Sequence, residues 1–282
     1  MPNFGYHFAR LRGNLVRRIY RALLPIIVRR SVSAPGSVPL DVFSYSGEAA
    51  LPEQIASIRS FLRNVGRPKS FTVASDGSYS DRSVRLLRKI DPSVKVQLSI
   101  DPPAVDLPDK FRQYLMTHPT GKQLALILSL PANGPTLYVD SDVLFFAGAG
   151  DLVTHATDRN LPARYLADCQ FSGDERLLFD ATEKQNPVNT GVLLLFAKLN
   201  WSLALDRFLK LDGPPTFFTN QTLAHLVMHA NGAQSFDPSK YVLQLDDQFV
   251  YPDRYANSTL ALRHYVNPVR HKFWTSLRRA AR

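Results

Sequence analysis

Apolar residues along this chain switch repeatedly between the two-residue period of a strand and the wider spacing of an amphipathic helix. DVFSYS (41–46), FTVAS (71–75) and VKVQLSI (94–100) read as strands. Between them, PEQIASIRSFLRNVG (52–66), with Pro near its start and Gly at its end, and DRSVRLLRKI (81–90) read as helices. A proline-rich turn follows Ile100, then a helical region over 109–130 that breaks near Pro119-Thr120-Gly121. LYVDSDVLFF (137–146) opens as a strand. ARYLAD (163–168) and VLLLF (192–196) read as strands, the second preceded by a turn at Asn189-Thr190-Gly191. Residues 201–211 and 219–232 read as helices, and YVLQL (241–245) and QFVY (248–251) as late strands. The alternation predicts an α/β fold: a mixed, mostly parallel central sheet flanked by helices. Ligands on such sheets bind beyond the carboxyl ends of the strands.

The first 30 residues follow a different rule. Phe8, Leu11, Leu15, Ile19 and Leu23 recur at helical spacing among Arg10, Arg12, Arg17, Arg18, Arg21, Arg29 and Arg30, with no acid. This predicts a basic amphipathic helix stopped near Pro25. Such a helix lies on a membrane surface or packs on the domain with its arginines solvated. SVSAPGSVP (31–39) reads as a linker. The expected organisation is a basic extension and linker at 1–35, one α/β domain at 36–275 and a basic tail at 276–282.

The net charge of +10 sits mainly at these two ends, which favours an anionic partner such as phosphate or an acidic membrane. Nothing resembles a helix-turn-helix, a zinc finger or an RNA-binding aromatic strand, so no specific nucleic-acid partner is expected. The lone Cys169 rules out an intramolecular disulfide, points to a reducing compartment and reads as a small core residue. No apolar run approaches the roughly 20 residues that span a bilayer, and no secretory signal is seen. The sequons at Asn200, Asn220 and Asn257 therefore read as chance, and a cytoplasmic location is expected.

The candidate chemistry lies in the middle of the chain. An apolar strand runs into Asp140 and Asp142, one residue apart around Ser141, and a second apolar run follows at once. Buried carboxylates must be paired or bound to metal. On an extended strand the two would face opposite ways; a turn at Asp140 lets both converge on one divalent ion. Oxygen ligands select Mg²⁺ or Mn²⁺, which bridge to substrate phosphates. A solvated acidic turn would carry the same spacing. His225 and His229 share a helix face and mimic zinc spacing, but lack the adjacent glutamate of the protease motif.

The order strand-DxD-strand, Asn-x-Gly before a strand, a Gln-bearing helix, then a late His followed by Lys and Trp resembles GT-A glycosyltransferases. The nearest likeness is to the retaining family of glycogenin and the bacterial lipopolysaccharide galactosyl- and glucosyltransferases. It covers roughly 41–274 and implies a Rossmann-like nucleotide-diphospho-sugar transferase fold. The resemblance further implies that Asp140 and Asp142, with Ser141 between them at the nucleotide sugar, hold Mn²⁺ (or Mg²⁺) against the donor diphosphate. His264 matches the third protein ligand. Lys272 matches a diphosphate-contacting lysine, but Phe273 replaces the following proline and the spacing is longer, leaving Arg270 and His271 as rivals. Asn189 matches a position facing sugar or acceptor, Asp168 one that binds sugar hydroxyls, and Gln221 one near the reacting centre, without its usual acidic neighbours. Lys122 matches a basic residue beside donor sugar and phosphate, and Tyr45 an aromatic stacked on the nucleobase.

The implied activity is metal-dependent, retaining hexosyl transfer from a nucleotide sugar, UDP-linked, to a glycan or glycolipid. A bacterial enzyme peripheral to the inner membrane face is expected from the basic N-terminus. Two alternatives stand. A phosphohydrolase of the haloacid dehalogenase type also starts from a strand with DxD, but wants Thr or Val where Leu144 stands and has its motif near the N-terminus. A catalytically inactive glycosyltransferase-like or membrane-binding protein is the other.

Overall fold

The computed structural model describes residues 3–100, 107–131, 133–158 and 161–281. The turn expected just after Ile100 and the final Arg282 lie outside the described residues.

Helix α1 (Phe4–Ile27) leads into β1 (Ser37–Ser46), α2 (Leu51–Asn64), β2 (Arg67–Ser75), α3 (Asp81–Arg88) and β3 (Val94–Gln97). Then come α4 (Asp109–Thr117), α5 (Pro119–Leu128), β4 (Thr136–Val139), β5 (Val143–Phe145), α6 (Asp151–Thr157), β6 (Arg164–Ala167) and β7 (Val188–Leu195). The chain closes with α7 (Ser202–Leu209), α8 (Thr219–Ala230), β8 (Gln234–Ser235), β9 (Tyr241–Val242), β10 (Leu262–His264) and α9 (Arg270–Ala280).

The main sheet has the order β3-β2-β1-β4-β7-β6-β8. Its first four strands are parallel, whereas β7 runs antiparallel to both β4 and β6. A smaller sheet, β5-β10-β9, stands beside it. The chain crosses between the two sheets at the turn linking β4 to β5, and that turn is Asp140-Ser141-Asp142.

Both faces of the main sheet are covered, which is why its central strands read as nearly continuous apolar runs. Leu137 and Val139 pack with Ile55, Phe61 and Phe71 on one face, while Tyr138 joins Leu126, Tyr165 and Met228 on the other. Burial of each such side chain contributes about 1.5–3 kcal/mol. Within α3, the Ser80 hydroxyl caps the start by accepting from the Ser83 N–H, as its position before a helical run predicts.

Several expected boundaries shift. Pro25 lies within α1 rather than ending it, since near a C-terminus its missing N–H loses one helix bond only. β1 and β2 extend back into segments read as linker or loop. β3 stops at Gln97, and YVLQL contributes only Tyr241–Val242 to a strand. QFVY is not a strand: the Val250 carbonyl, with that of Pro252, accepts from the Lys272 ammonium instead of a neighbouring strand. Cys169 is exposed rather than in the core, because it follows the end of β6 where the chain leaves the sheet. Helices α6 and α9 had no counterpart in the sequence pattern.

Helix α1 packs against α9. Ala9, Gly13 and Leu24 are buried, and a Cβ at Gly13 would sit 2.4 Å from the His271 carbonyl oxygen, so the two helices meet at van der Waals distance. The outward face keeps Phe4, Phe8, Leu11, Leu15, Ile19, Leu23 and Ile26 exposed, between 43% and 77%. No helix among the described residues is long and apolar enough to cross a membrane.

Candidate active site

Strand register gathers the candidate residues. The Asp140 N–H donates to the Gly191 carbonyl at 2.8 Å. Because β7 runs antiparallel to β4, with Val139 opposite Val192, Asn189-Thr190-Gly191 lie just past the end of β4 and alongside the turn. They are residues of β7 itself, not the turn expected ahead of it. Leu166 of β6 pairs with Asn189, which sets Asp168 nearby. On the other side β5 pairs antiparallel with β10, placing His264 opposite Val143, the residue after Asp142.

One ligand atom from each of Asp140, Asp142 and His264 lies within 4.8 Å of the others. His264 Nε2 is 3.0 Å from Asp142 Oδ1 and 3.6 Å from Asp140 Oδ2. Its Nδ1 is 2.9 Å from Asn189 Oδ1. An amide oxygen accepts, so the Nδ1 proton is committed there and Nε2 faces the carboxylates. Only glycine fits beside this ring: a Cβ at Gly191 would lie 2.2 Å from His264 Cε1. Asp140 Oδ1 accepts from the Tyr138 hydroxyl at 2.8 Å and the Gln123 amide at 3.0 Å. Gln123 in turn accepts from Asn220 at 2.9 Å.

The electrostatics fit these contacts. Burial, opposed by His264 and reinforced by Asp142, pushes Asp140 up to about 6. Burial pulls Asp142 the same way, but His264 and Arg270 outweigh it and hold this carboxyl well below the usual range. Burial disfavours an imidazolium at His264, yet Asp142 and Asp140 together raise its pKa. Two carboxylates held a few ångströms apart thus draw positive charge to their midpoint. Two carboxylates with one imidazole nitrogen form a donor set for a divalent metal ion.

A second network adjoins the first. Asp168 Oδ2 accepts from Asn189 Nδ2 and Gln221 Nε2, each at 3.1 Å, and Gln221 Nε2 also donates to the Ser172 carbonyl at 2.8 Å. With that nitrogen engaged, Oε1 is the remaining polar group of Gln221. Tyr45, Ser141, Asp168, Asn189 and Gln221 line one cleft of about 580 Å³ together with Asp140, Asp142 and His264.

Two expected residues lie elsewhere. Lys122 lines a separate cavity of about 260 Å³ with Ser75, Asp76 and Gly77. Lys272 is fully buried on α9, donating to the Val250 and Pro252 carbonyls at 2.8 Å and lying 3.4 Å from Asp247. It neutralises an acidic cluster, Asp247 and Asp253, that also holds the buried Arg263. Its rival Arg270 reaches the cleft and pairs with the Asp142 carboxylate. The supports Gln123, Tyr138 and Asn220 escaped sequence reading; Gln123 and Asn220 each neighbour a residue it singled out. His225 and His229 bond through Nε2 to the Glu183 and Asn186 carbonyls.

No family model matches the chain, and no curated protein matches it by sequence. Solved structures match by shape. The galactosyltransferase LgtC, in complex with donor and acceptor sugar analogues, aligns over 86% of this chain and 95% of its own, with TM-score 0.54 and 14% identity. The chain has the fold of GT-A glycosyltransferases. Mouse xyloside xylosyltransferase 1 covers 83% of this chain and 99% of its own at TM-score 0.51 and 12% identity. The bifunctional glycosyltransferase WbbM covers 90% of this chain at TM-score 0.55 and 14% identity, and this chain spans about half (51%) of WbbM. This fold does not favour the phosphohydrolase alternative.

Proposed function

We propose that the protein is a metal-dependent glycosyltransferase that moves a hexosyl group from a nucleotide sugar, UDP-linked, to a glycan or glycolipid, with retention. The observation that carries this reading is the convergence of Asp140, Asp142 and His264 at one end of the sheet of a GT-A fold. These three residues would hold Mn²⁺ or Mg²⁺. When bound, the ion would supply Lewis acidity toward a donor diphosphate.

The chain's own groups do the rest. Arg270, beside Asp142, is placed to neutralise charge on a leaving phosphate. Gln221 and Asp168 present a carbonyl and a carboxylate oxygen along the cleft, which Asn189 also lines while its own Oδ1 accepts from His264 and the Gly191 N–H. Such oxygens orient sugar hydroxyls and steady positive charge at an anomeric carbon. Tyr45 lines the same cleft and offers a ring to the base or the sugar. LgtC was solved with donor and acceptor sugar analogues, which supports a two-substrate reading of this cleft.

A glycolipid acceptor at the inner face of a bacterial membrane fits the outward face of α1, where exposed apolar residues run between arginines.

The test is a thermal-shift screen of nucleotide sugars with and without Mn²⁺. A ligand at ~100 times its dissociation constant stabilises the fold by roughly 2.7 kcal/mol. Stabilisation by a nucleotide sugar only with Mn²⁺, lost in Asp142→Asn, is expected; stabilisation indifferent to Mn²⁺ contradicts the reading.

A further inference from the structure

A second cavity, of about 690 Å³, adjoins the proposed active site and is walled on one side by the N-terminal helix. Ser141, Asp142, Asn267, Pro268 and Arg270 line both spaces, so a ligand seated at the aspartates can extend from one into the other. From α1 come Tyr6, Arg10, Asn14 and Arg17. Their spacing of four, four and three residues puts them on one stripe of the helix. That stripe is turned inward because Gly13 lets α1 settle against the His271 carbonyl.

The charges around this cavity are unequally spent. Arg17 bonds both oxygens of Glu53 and the Ala49 carbonyl, and the Trp274 indole also donates to Glu53, so the cavity's glutamate is already compensated. Arg10 is exposed and has no ion-pair partner among the described residues. His271 also lines the cavity; it is buried, and its Nε2 has no hydrogen-bond partner among the described residues. The first turns of α2, after Ala49-Ala50, and of α9, at Arg270, border the same space. Helix starts and guanidinium groups both favour phosphate oxygens.

We propose that the inner face of α1 completes a phosphate-binding cavity, with Arg10 and Asn14 as ligand-binding residues opposite Arg270. This rests on the glycosyltransferase reading for its place in the reaction. The N-terminal extension is then part of the substrate site. The phosphate belongs either to the nucleotide-sugar donor or to a phosphorylated acceptor.

The test measures binding of inorganic pyrophosphate, and of UDP with Mn²⁺, to the full chain and to Arg10→Ala, Arg10→Lys and the double variant Arg10→Ala/Asn14→Ala. Arg10→Ala weakens pyrophosphate binding about tenfold and Arg10→Lys restores part of it. The melting temperature stays unchanged, because Arg10 is on the surface of α1. An equal loss for UDP assigns the site to the donor diphosphate. Unchanged UDP binding in Arg10→Ala, with pyrophosphate still bound by UDP-saturated wild type but not by UDP-saturated Arg10→Ala, assigns it to an acceptor phosphate. Equal pyrophosphate affinity in wild type and the double variant, or no pyrophosphate binding by wild type, overturns the proposal. Arg10-dependent pyrophosphate binding without any UDP binding leaves this cavity standing and sinks the transferase reading instead.

Discussion

His264 and Asn189 meet across two sheets, Nδ1 to Oδ1 at 2.9 Å, and this one hydrogen bond selects the ring nitrogen that faces Asp140 and Asp142. Removing it frees the ring without touching Asp140 or Asp142, although Asp168 also loses the Asn189 Nδ2 donor. Asn189→Ala should weaken Mn²⁺ binding by about 10–100-fold, as losses of such supporting partners do elsewhere. Titration calorimetry reads the change. Wild-type affinity in the variant would show that the contact does not orient the imidazole.

Gly191 tests the same corner from the other side. Its Cβ position overlaps His264 Cε1 and Nδ1, so Gly191→Ala must push the ring away from the aspartates. The expected outcome is a loss of Mn²⁺ affinity at least as large as that of Asn189→Ala, with far-ultraviolet circular dichroism preserved. A variant that binds metal normally would mean that β10 yields easily.

Acid should release the metal. Burial pushes Asp140 up to about 6 and the two carboxylates raise His264, so as the pH falls both ligands take up protons that a cation must displace. The sign is therefore a fall in affinity as pH drops, by about tenfold per pH unit for each proton displaced. Mn²⁺ titrations at pH 5, 6 and 7.5 check this. Affinity that is flat over that interval contradicts the assignment of ligands.

Arg270 and Lys272 sit two residues apart on α9 and have opposite jobs. Lys272→Ala strips a buried cation from Asp247 and should cost about 3–5 kcal/mol of stability in urea unfolding. Arg270→Ala removes one of the two cations beside the buried Asp142 but is itself half exposed, so it should cost less stability than Lys272→Ala and weaken UDP binding about tenfold or more. The reverse pattern would restore Lys272 to the diphosphate.

The outward stripe of α1 should bind vesicles that contain anionic lipid. Leu11→Glu with Leu15→Glu is expected to abolish co-sedimentation while Mn²⁺ binding persists, since both side chains point away from the fold. Unchanged sedimentation would remove the membrane from the account.

Much of this was readable from residue order. The α/β alternation is plain because strands covered on both faces stay apolar, as Leu137, Tyr138 and Val139 do, and because helices such as α3 carry their caps in sequence. Asp140 and Asp142 stand out against the apolar runs around them. What stayed hidden depends on direction. Tyr138 reads as one more apolar strand residue, although its hydroxyl holds Asp140. Arg270 and Lys272 are equally basic, and only the starting point of α9 decides which one enters the cleft. QFVY has strand-like composition, but Lys272 claims the carbonyl of its Val250.

Electron paramagnetic resonance of Mn²⁺ titrated into the protein with UDP reads the central claim most directly. The account predicts one immobilised Mn²⁺ per chain, with hyperfine coupling to the phosphorus nuclei of UDP, and loss of that signal in Asp142→Asn. An identical Mn²⁺ signal in wild type and Asp142→Asn, or no bound Mn²⁺ in either, would contradict it.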